Sequence, residues 1–552
     1  MTVLHIENLS VSFATERGEQ PALRSVALDI PEKSIVGIVG ESGSGKSTLI
    51  NAVLGLLPDN ARLESGKILF EGQDLTKFDA TAMRALRGPR ISAVFQDPMG
   101  ALNPVLSVGQ QMRNIQYRGS ITRTEKDALS IEMLEAVRIP DAQSALARFP
   151  HEFSGGMKQR IAIAMALMMR PGLLIADEPT TALDATLEVV TLDLLKDLQS
   201  QIGCSILFVS HHLGVIAELC DEVAVMLAGE VVERGKTSDV FQRPQHEYTR
   251  RLLACDPAHQ KQRTRRLPTM QDAPGGFVPK PVPPLADRPE GIDPLLTVRD
   301  ARVVFHSGSM FHRRSIIGVD GVSFDLYPGE TLGLVGESGS GKTTLARAVA
   351  RLQELSGGSI CFNGQDLHAL NAKDMKRTRR YISMMFQDPV GSLSPRMKVG
   401  DLIAEPFHIH RVTDVDPKQE TERLLSMVGL GPEFARRFPH QLSGGQARRV
   451  GVARAIALKP RLIIADEPTA GLDVSIQGEV LNLLNSLREE LDLAIIFITH
   501  NLNVVRHVAD QIAVMYKGSF VEMADAETLF DTPRHAYTRK LLSANLGANL
   551  GD

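Results

Sequence analysis

Gly40-Glu-Ser-Gly-Ser-Gly-Lys46-Ser47-Thr48 joins the apolar run Ser34-Ile-Val-Gly-Ile-Val39 to a stretch of helical spacing, Ser47 to Leu57. The same text returns as Gly336-Glu-Ser-Gly-Ser-Gly-Lys342-Thr343-Thr344, between Thr331-Leu-Gly-Leu-Val335 and Thr343 to Leu352. A glycine-rich turn from strand to helix points successive backbone N–H groups at phosphate oxygens, and the positive end of the helix dipole adds to the attraction. Gly40, Ser42, Gly43, Gly45, Gly336, Ser338, Gly339 and Gly341 are therefore candidate phosphate cradles. Side chains at Gly43 or Gly45 are expected to obstruct the phosphates. Lys46 and Lys342 supply a point charge to the β and γ phosphates, the hydroxyls of Ser47 and Thr343 can ligate Mg²⁺, and Thr48 and Thr344 complete the set.

Working outward, four further motifs follow each loop in the same order: Gln96, Ser154-Gly155-Gly156, Asp177-Glu178 and His211, then Gln387, Ser443-Gly444-Gly445, Asp466-Glu467 and His500. The offset is 296 residues at the lysines, 291 at the glutamines and 289 at each later motif, so two nucleotide-binding domains share one polypeptide. Leu173-Leu-Ile-Ala-Asp177 and Leu462-Ile-Ile-Ala-Asp466 read as buried strands ending in a carboxylate, where a parallel sheet presents its ligands. Asp177 and Asp466 suit a magnesium site, and Glu178 and Glu467 suit orienting or deprotonating an attacking water. An Asp-Glu pair at a strand end is often only a helix cap. Its place after a phosphate loop, with Pro-Thr following in both halves, favours the functional reading.

At 552 residues the length alone suggests more than two domains, a prior that the repeat overrides. Hydrophobic residues at 43% and charged residues at 23% are ordinary for a globular protein. A net charge of -4 argues against a surface built to neutralise nucleic-acid phosphates. Apolar stretches such as Ile161 to Met169 fall far short of the roughly 20 residues that span a bilayer. The N-terminus has neither the basic start nor the apolar run of a secretory signal, which predicts residence in the cytoplasm. Cys204, Cys220, Cys255 and Cys361 are widely separated and predict reduced thiols without a zinc or iron-sulfur site. Between domain 1 (1–256) and domain 2 (294–552), the stretch 257–293 is rich in proline and predicts an extended, semi-rigid linker. The polar, helically periodic segments between Gln96 and Ser154 and between Gln387 and Ser443 predict an inserted helical subdomain in each half.

Ser154-Gly-Gly-Met157 and Ser443-Gly-Gly-Gln446 resemble the signature motif of ABC-transporter ATPase subunits, and the six motifs stand in that family's order over nearly all of 1–256 and 294–552. The resemblance implies an α/β fold: two tandem ABC-type domains, each a P-loop RecA-like core with an antiparallel β subdomain and an inserted helical subdomain. It implies head-to-tail pairing with ATP and Mg²⁺. One site would combine Lys46, Ser47, Gln96, Asp177, Glu178 and His211 with Ser443 to Gln446. The other would combine Lys342, Thr343, Gln387, Asp466, Glu467 and His500 with Ser154 to Met157. His211 and His500 match the switch histidine that contacts the γ phosphate, and Gln96 and Gln387 the glutamine that reaches the metal. Thr181-Ala-Leu-Asp184 and Ala470-Gly-Leu-Asp473 resemble the aspartate loop, and Phe13 and Phe305 stand where the family stacks an aromatic on adenine, although either suits a core. Met157 departs from the signature's glutamine, so the Lys342 site is expected to close with different affinity.

Phe95-Gln96-Asp-Pro-Met-Gly-Ala-Leu-Asn-Pro104, Phe386-Gln387-Asp-Pro-Val-Gly-Ser-Leu-Ser-Pro395, the Pro-x-His-x-Tyr-Thr-Arg elements Pro244 to Arg250 and Pro533 to Arg539, and the basic insertion Met310 to Arg314 resemble the dipeptide, oligopeptide, nickel and glutathione importers. The chain is similar to a fusion of their D-type and F-type ATPases. That implies two transmembrane permease subunits, an extracytoplasmic solute-binding protein, one copy of this chain per transporter, and a peripheral place on the cytoplasmic face of the bacterial inner membrane. With only Cys255 after the first Tyr-Thr-Arg, no iron-sulfur cluster is expected, and the net charge of -4 speaks against a nucleic-acid partner. The alternative is a soluble twin ATPase acting on ribosomes or DNA. Such translation factors carry a charged helical arm where this chain has proline, and the repair ATPases carry zinc modules that it lacks.

Overall fold

The computed structural model describes residues 2–15, 18–95, 98–117, 121–180, 183–260, 263–264, 266–272, 277–279, 281–282, 291–307, 314–388 and 390–544. The chain forms two compact units, the first Met1–His259, the second beginning at Gln260. Gln96, Thr181, most of the Met310 to Arg314 insertion and the prolines at 274, 283, 284 and 289 lie outside the described residues.

In the first unit Thr2–Thr15 pairs antiparallel with Gly18–Pro31 and Ala61–Phe70, and Gln73–Asp74 extends this four-stranded sheet. A second sheet of six strands runs in the order Glu230–Lys236, Glu222–Leu227, Ile35–Val39, Ser205–Val209, Leu173–Asp177, Ile91–Val94. All its pairings are parallel except that of the first two. Ile35–Val39 and Ser205–Val209 are buried at every position, as expected of short apolar runs covered on both faces. Because Ile35–Val39, Ser205–Val209 and Leu173–Asp177 are parallel neighbours, their carboxyl ends lie side by side. Gly40, His211 and Glu178, up to 171 residues apart in sequence, are thereby gathered at one edge of the sheet. Val108–Ile115, Arg123–Ala136 and Gly155–Leu167 are helices, and the first two lie in the predicted insert.

The second unit repeats the plan. Leu296–Ser307 pairs with Arg314–Leu326 and Gly357–Phe362, and the six-stranded sheet runs Ile382–Met385, Leu462–Asp466, Ala494–Ile498, Thr331–Val335, Gln511–Tyr516, Ser519–Asp525. Its helical insert packs Val399–His410 on Pro417–Met427 through Leu402, Phe407, Leu424 and Leu425, all buried.

The connector departs from the extended linker that its composition predicts. Arg263 is buried and donates to Asp510 at 2.8 Å. Leu267, 2% exposed, belongs to the second unit's core, and its N–H and C=O both bond the Asn482 side-chain amide at 2.7 and 2.8 Å. Proline-rich composition lowers the entropy of the free chain. It does not prevent one leucine and one arginine from anchoring it.

Candidate nucleotide site

In each unit a fully buried strand feeds a loop and then a helix: Ile35–Val39 into Lys46–Leu54, and Thr331–Val335 into Lys342–Val349. Gly40, Gly43 and Gly45 have φ of 153°, 83° and 103°, and Gly336, Gly339 and Gly341 repeat them at 148°, 77° and 109°. At Gly45 the loop's own packing also requires glycine, because a Cβ there would stand 2.8 Å from the Ala22 carbonyl. At Gly43 the space is open, and the left-handed φ is the constraint.

Lys46, 8% exposed, curls over the loop, with Nζ donating to Gly40 O at 2.6 Å and Glu41 O at 3.0 Å. Lys342 does the same to Gly336 O at 2.7 Å and Glu337 O at 2.8 Å. The ammonium is thus held over the cradle by carbonyls. Beside the second lysine, Thr343 Oγ1 donates to Asp466 Oδ1 at 3.3 Å. Burial pushes Asp466 above the usual carboxylate range, and burial with the neighbouring Glu178 charge pushes Asp177 up to about 6. A buried carboxylate that is poorly stabilised, next to a hydroxyl, is a hard oxygen donor set that fits Mg²⁺. No group of three or more His, Cys, Asp or Glu that could hold a metal ion is found among the described residues.

One residue beyond each aspartate the backbone turns left-handed, with φ of 47° at Glu178 and 49° at Glu467. A non-glycine residue there costs on the order of 1 kcal/mol, and such strain concentrates at functional positions. The turn is held by Glu178 N–H to Val209 O at 2.8 Å and Glu467 N–H to Ile498 O at 2.9 Å. It carries the carboxylates to the histidines: His211 Nδ1 stands 3.0 Å from Glu178 Oε1, and His500 Nδ1 3.2 Å from Glu467 Oε1. In the second unit Gln387 Nε2 also donates to Glu467 Oε2 at 2.6 Å. Burial raises the Glu467 pKa, but the His500 and Gln387 bonds outweigh it and leave the carboxylate below its ordinary range. Gln387 and His500 of the second unit thus meet on Glu467, one residue beyond Asp466.

The signature serines cap helices. Ser443 Oγ accepts from Gln446 N–H at 3.3 Å, and Gln446 Oε1 accepts from Ser443 N–H at 3.1 Å, a reciprocal capping box over Gly444–Ile456. Ser154 accepts from Met157 N–H at 3.4 Å, and the thioether of Met157 returns nothing equivalent. Asp184 likewise caps Ala185–Ile202, accepting from Leu187 N–H at 3.0 Å. Phe305 is 39% exposed, and its ring lies over Gly318 beside Thr344, so an aromatic face flanks the phosphate loop. Phe13 is half-buried on the matching strand.

Three features escaped sequence reasoning. Arg448, 3% exposed, donates to Gln387 O at 3.2 Å, Glu467 O at 3.1 Å and Ala470 O at 2.7 Å, joining three motifs of the second unit. His212 faces Glu188 at 3.7 Å and packs edge-on to His211. Tyr248 and Tyr537, quoted only as part of a family marker, reach the phosphate loops.

The ABC transporter family profile matches residues 23–181 and 319–470, and the oligopeptide/dipeptide transporter C-terminal region matches 232–277 and 521–548. The glutathione import ATP-binding protein GsiA of Escherichia coli (strain K12) is 43% identical over 560 residues, covering 98% of this chain and 89% of its own. Its counterpart in Shigella dysenteriae serotype 1 (strain Sd197) gives the same identity and coverage. Among solved structures, a dimeric ATP-binding cassette in a post-hydrolysis state bound to ADP and Pi is 26% identical with a TM-score of 0.39, covering 42% of this chain and 98% of that one.

Proposed function

We propose, for a chain that belongs to the ABC transporter family as the fused two-domain ATP-binding subunit of an importer, that each of its two ATP sites is completed by the signature helix of the other half. Lys46, Ser47, Asp177, Glu178 and His211, with Gln96, would work with Ser443 to Gln446. Lys342, Thr343, Gln387, Asp466, Glu467 and His500 would work with Ser154 to Met157. The observation that carries the ATP-hydrolysing reading of each half is the twice-made pairing of a left-handed glutamate with a histidine at a strand end, and the exchange of signature helices follows from the family resemblance.

In each half the lysine compensates the β and γ phosphates, and the Ser or Thr hydroxyl with the aspartate would hold Mg²⁺, which neutralises phosphate charge when bound. The glutamate, oriented by its histidine, accepts the proton of the water that attacks the γ phosphorus. Helix N-termini at Ser154 and Ser443 supply N–H groups and positive dipole to the γ phosphate when the halves close. ATP thus favours closure, and its hydrolysis releases it. Phe13 and Phe305 stack on adenine.

The pairing is testable by occlusion of radiolabelled ATP in a Glu178→Gln, Glu467→Gln background. Lys46→Ala with Ser443→Arg damages one composite site and leaves one occluded nucleotide, whereas Lys46→Ala with Ser154→Arg damages both. Equal occlusion by the two combinations, or the reverse order, refutes it.

Import requires membrane permease components, because no helix among the described residues is long and apolar enough to cross a membrane. Two permeases, an extracytoplasmic solute-binding protein, one copy of this chain and a peripheral cytoplasmic place complete the assembly. Cavities of about 310 Å³ beside Phe95, Leu102 and Met165 and about 340 Å³ beside Phe386, Leu393 and Arg454 offer seats for permease helices next to the two glutamine loops. The cargo is glutathione or a short peptide, as the relatives and the oligopeptide-type C-terminal region suggest. Uptake of labelled glutathione and a labelled dipeptide into proteoliposomes bearing the co-purified complex tests this. Turnover of ATP with neither solute transported rejects the cargo assignment.

A further inference from the structure

We infer that Tyr248 and Tyr537 are positioning residues of the two phosphate loops, which makes the C-terminal element of each half part of its nucleotide grip. This rests on the ATP-binding reading above. The Tyr248 hydroxyl accepts from Glu41 N–H at 3.2 Å, and the Tyr537 hydroxyl from Glu337 N–H at 3.0 Å. The two contacts arise in separate copies of the fold, between residues 207 and 200 positions apart.

The bond falls on the peptide unit that the lysine also holds. A trans peptide plane presents its C=O and its N–H on opposite edges. On the Gly40–Glu41 plane, Lys46 Nζ takes the carbonyl edge at 2.6 Å and Tyr248 the N–H edge at 3.2 Å. On the Gly336–Glu337 plane the distances are 2.7 and 3.0 Å. Both planes follow a glycine at φ near 150°, a conformation open to glycine alone and easily rotated if unheld. When a nucleotide arrives, the lysine turns toward the β and γ phosphates. The tyrosine then keeps the plane in register, so that the following N–H groups stay aimed inward.

Each tyrosine is itself fixed. The Glu233 carboxylate accepts Gln245 N–H and His246 N–H at 2.7 and 3.0 Å, and His246 Nδ1 accepts Tyr248 N–H at 3.2 Å, starting the helix Glu247–Ala254. In the second half Glu522 takes Arg534 N–H and His535 N–H at 2.7 and 3.0 Å, and His535 Nδ1 takes Tyr537 N–H at 3.1 Å. The Pro-x-His-x-Tyr spacing is thus a device: histidine starts the helix, and tyrosine two residues later leaves its first turn toward the loop.

The test uses full-length protein carrying Tyr248→Phe with Tyr537→Phe, which removes two oxygens and keeps both rings. Competition binding is measured for ATP, ADP and AMP, with melting temperature alongside. The expected result is an affinity loss of about three- to tenfold for ATP and ADP, the size of one hydrogen bond, with AMP unchanged because it has no β phosphate for the loop to hold. In turnover the change appears mainly in KM. A lowered melting temperature with unchanged ATP and ADP affinity, or an equal loss for all three nucleotides, overturns the proposal. Lys46→Ala with Lys342→Ala, run in parallel, is expected to abolish binding. Retained ATP affinity in that control overturns the nucleotide reading itself, a result distinct from failure of the tyrosine role.

Discussion

Replacing Arg448 with glutamine, the residue that the first half carries at Gln159, removes a side chain that bonds three motif carbonyls of the second unit. Hydrogen bonds from a charged donor contribute about 1.5–3 kcal/mol each, and burial, outweighing nearby carboxylates, has pushed the guanidinium down to about 10, a net penalty on the charged form of about 3 kcal/mol. Glutamine restores one bond at most, so the net loss of stability is about 2–4 kcal/mol. The charged partners Asp388 and Glu467 oppose the desolvation without cancelling it. Denaturant melts of the full chain read the stability. Turnover read in a Glu178→Gln background isolates Glu467. Its carbonyl is one of the three anchors, so displacement of its backbone lowers kcat about ten- to hundredfold. The mirror change Gln159→Arg supplies a cation where the Gln159 amide nitrogen has no hydrogen-bond partner among the described residues. A loss below about 0.5 kcal/mol in Arg448→Gln, with kcat unchanged, refutes the reasoning, since it falls within ordinary surface substitutions.

Met157→Gln is expected to complete the first capping box and raise the stability of that unit by about 0.5–1 kcal/mol, read by differential scanning calorimetry. Asp177, held up to about 6, gives the Lys46 site a pH-dependent need for metal: in a Glu467→Gln background, half-maximal turnover takes more Mg²⁺ at pH 5.5 than at pH 7.5, and an equal requirement rejects the assignment. The His212 pKa is lowered by burial but raised further by Glu188, so its net shift is upward. A raised folded value contributes stability fully below pH 6.5 and loses it as pH rises through that value. His212→Asn, matching Asn501, which caps its helix by accepting from Val504 N–H at 3.2 Å, therefore flattens the melting-temperature profile above pH 6.5.

The glycine-rich loops, the strand-end carboxylates and the placement of His211 and His500 were legible because each is a local pattern, a strand ending in one characteristic residue, and the parallel sheet does the gathering. What stayed hidden depends on partners remote in sequence. Nothing near Tyr248 in the chain indicates that its hydroxyl meets Glu41. Arg448 reads as one more polar residue on a signature helix until Gln387, Glu467 and Ala470 are seen around it. The packing reason for glycine at position 45 was hidden because the Ala22 carbonyl, across the β subdomain, has no sequence signal. The connector was misjudged because composition reports the entropy of a free segment and is silent on Asn482 and Asp510, which hold it.

The differences between the halves fall in a pattern that the head-to-tail proposal makes intelligible. The second unit has Arg448 tying Glu467, Gln387 and Ala470 through their carbonyls, and a boxed signature at Ser443 and Gln446. The first unit has Gln159 and an unboxed Ser154. Under trans pairing these features do not accumulate in one site. Glu467, bonded through its carbonyl to Arg448, would receive the unboxed signature ending in Met157, and Glu178 would receive the boxed signature ending in Gln446. Each site would then have one firmly bonded component and one less so. Cis pairing would instead gather both firmly bonded components in one site. The occlusion experiment with paired lysine and serine variants therefore separates two different distributions of these bonds as well as two geometries.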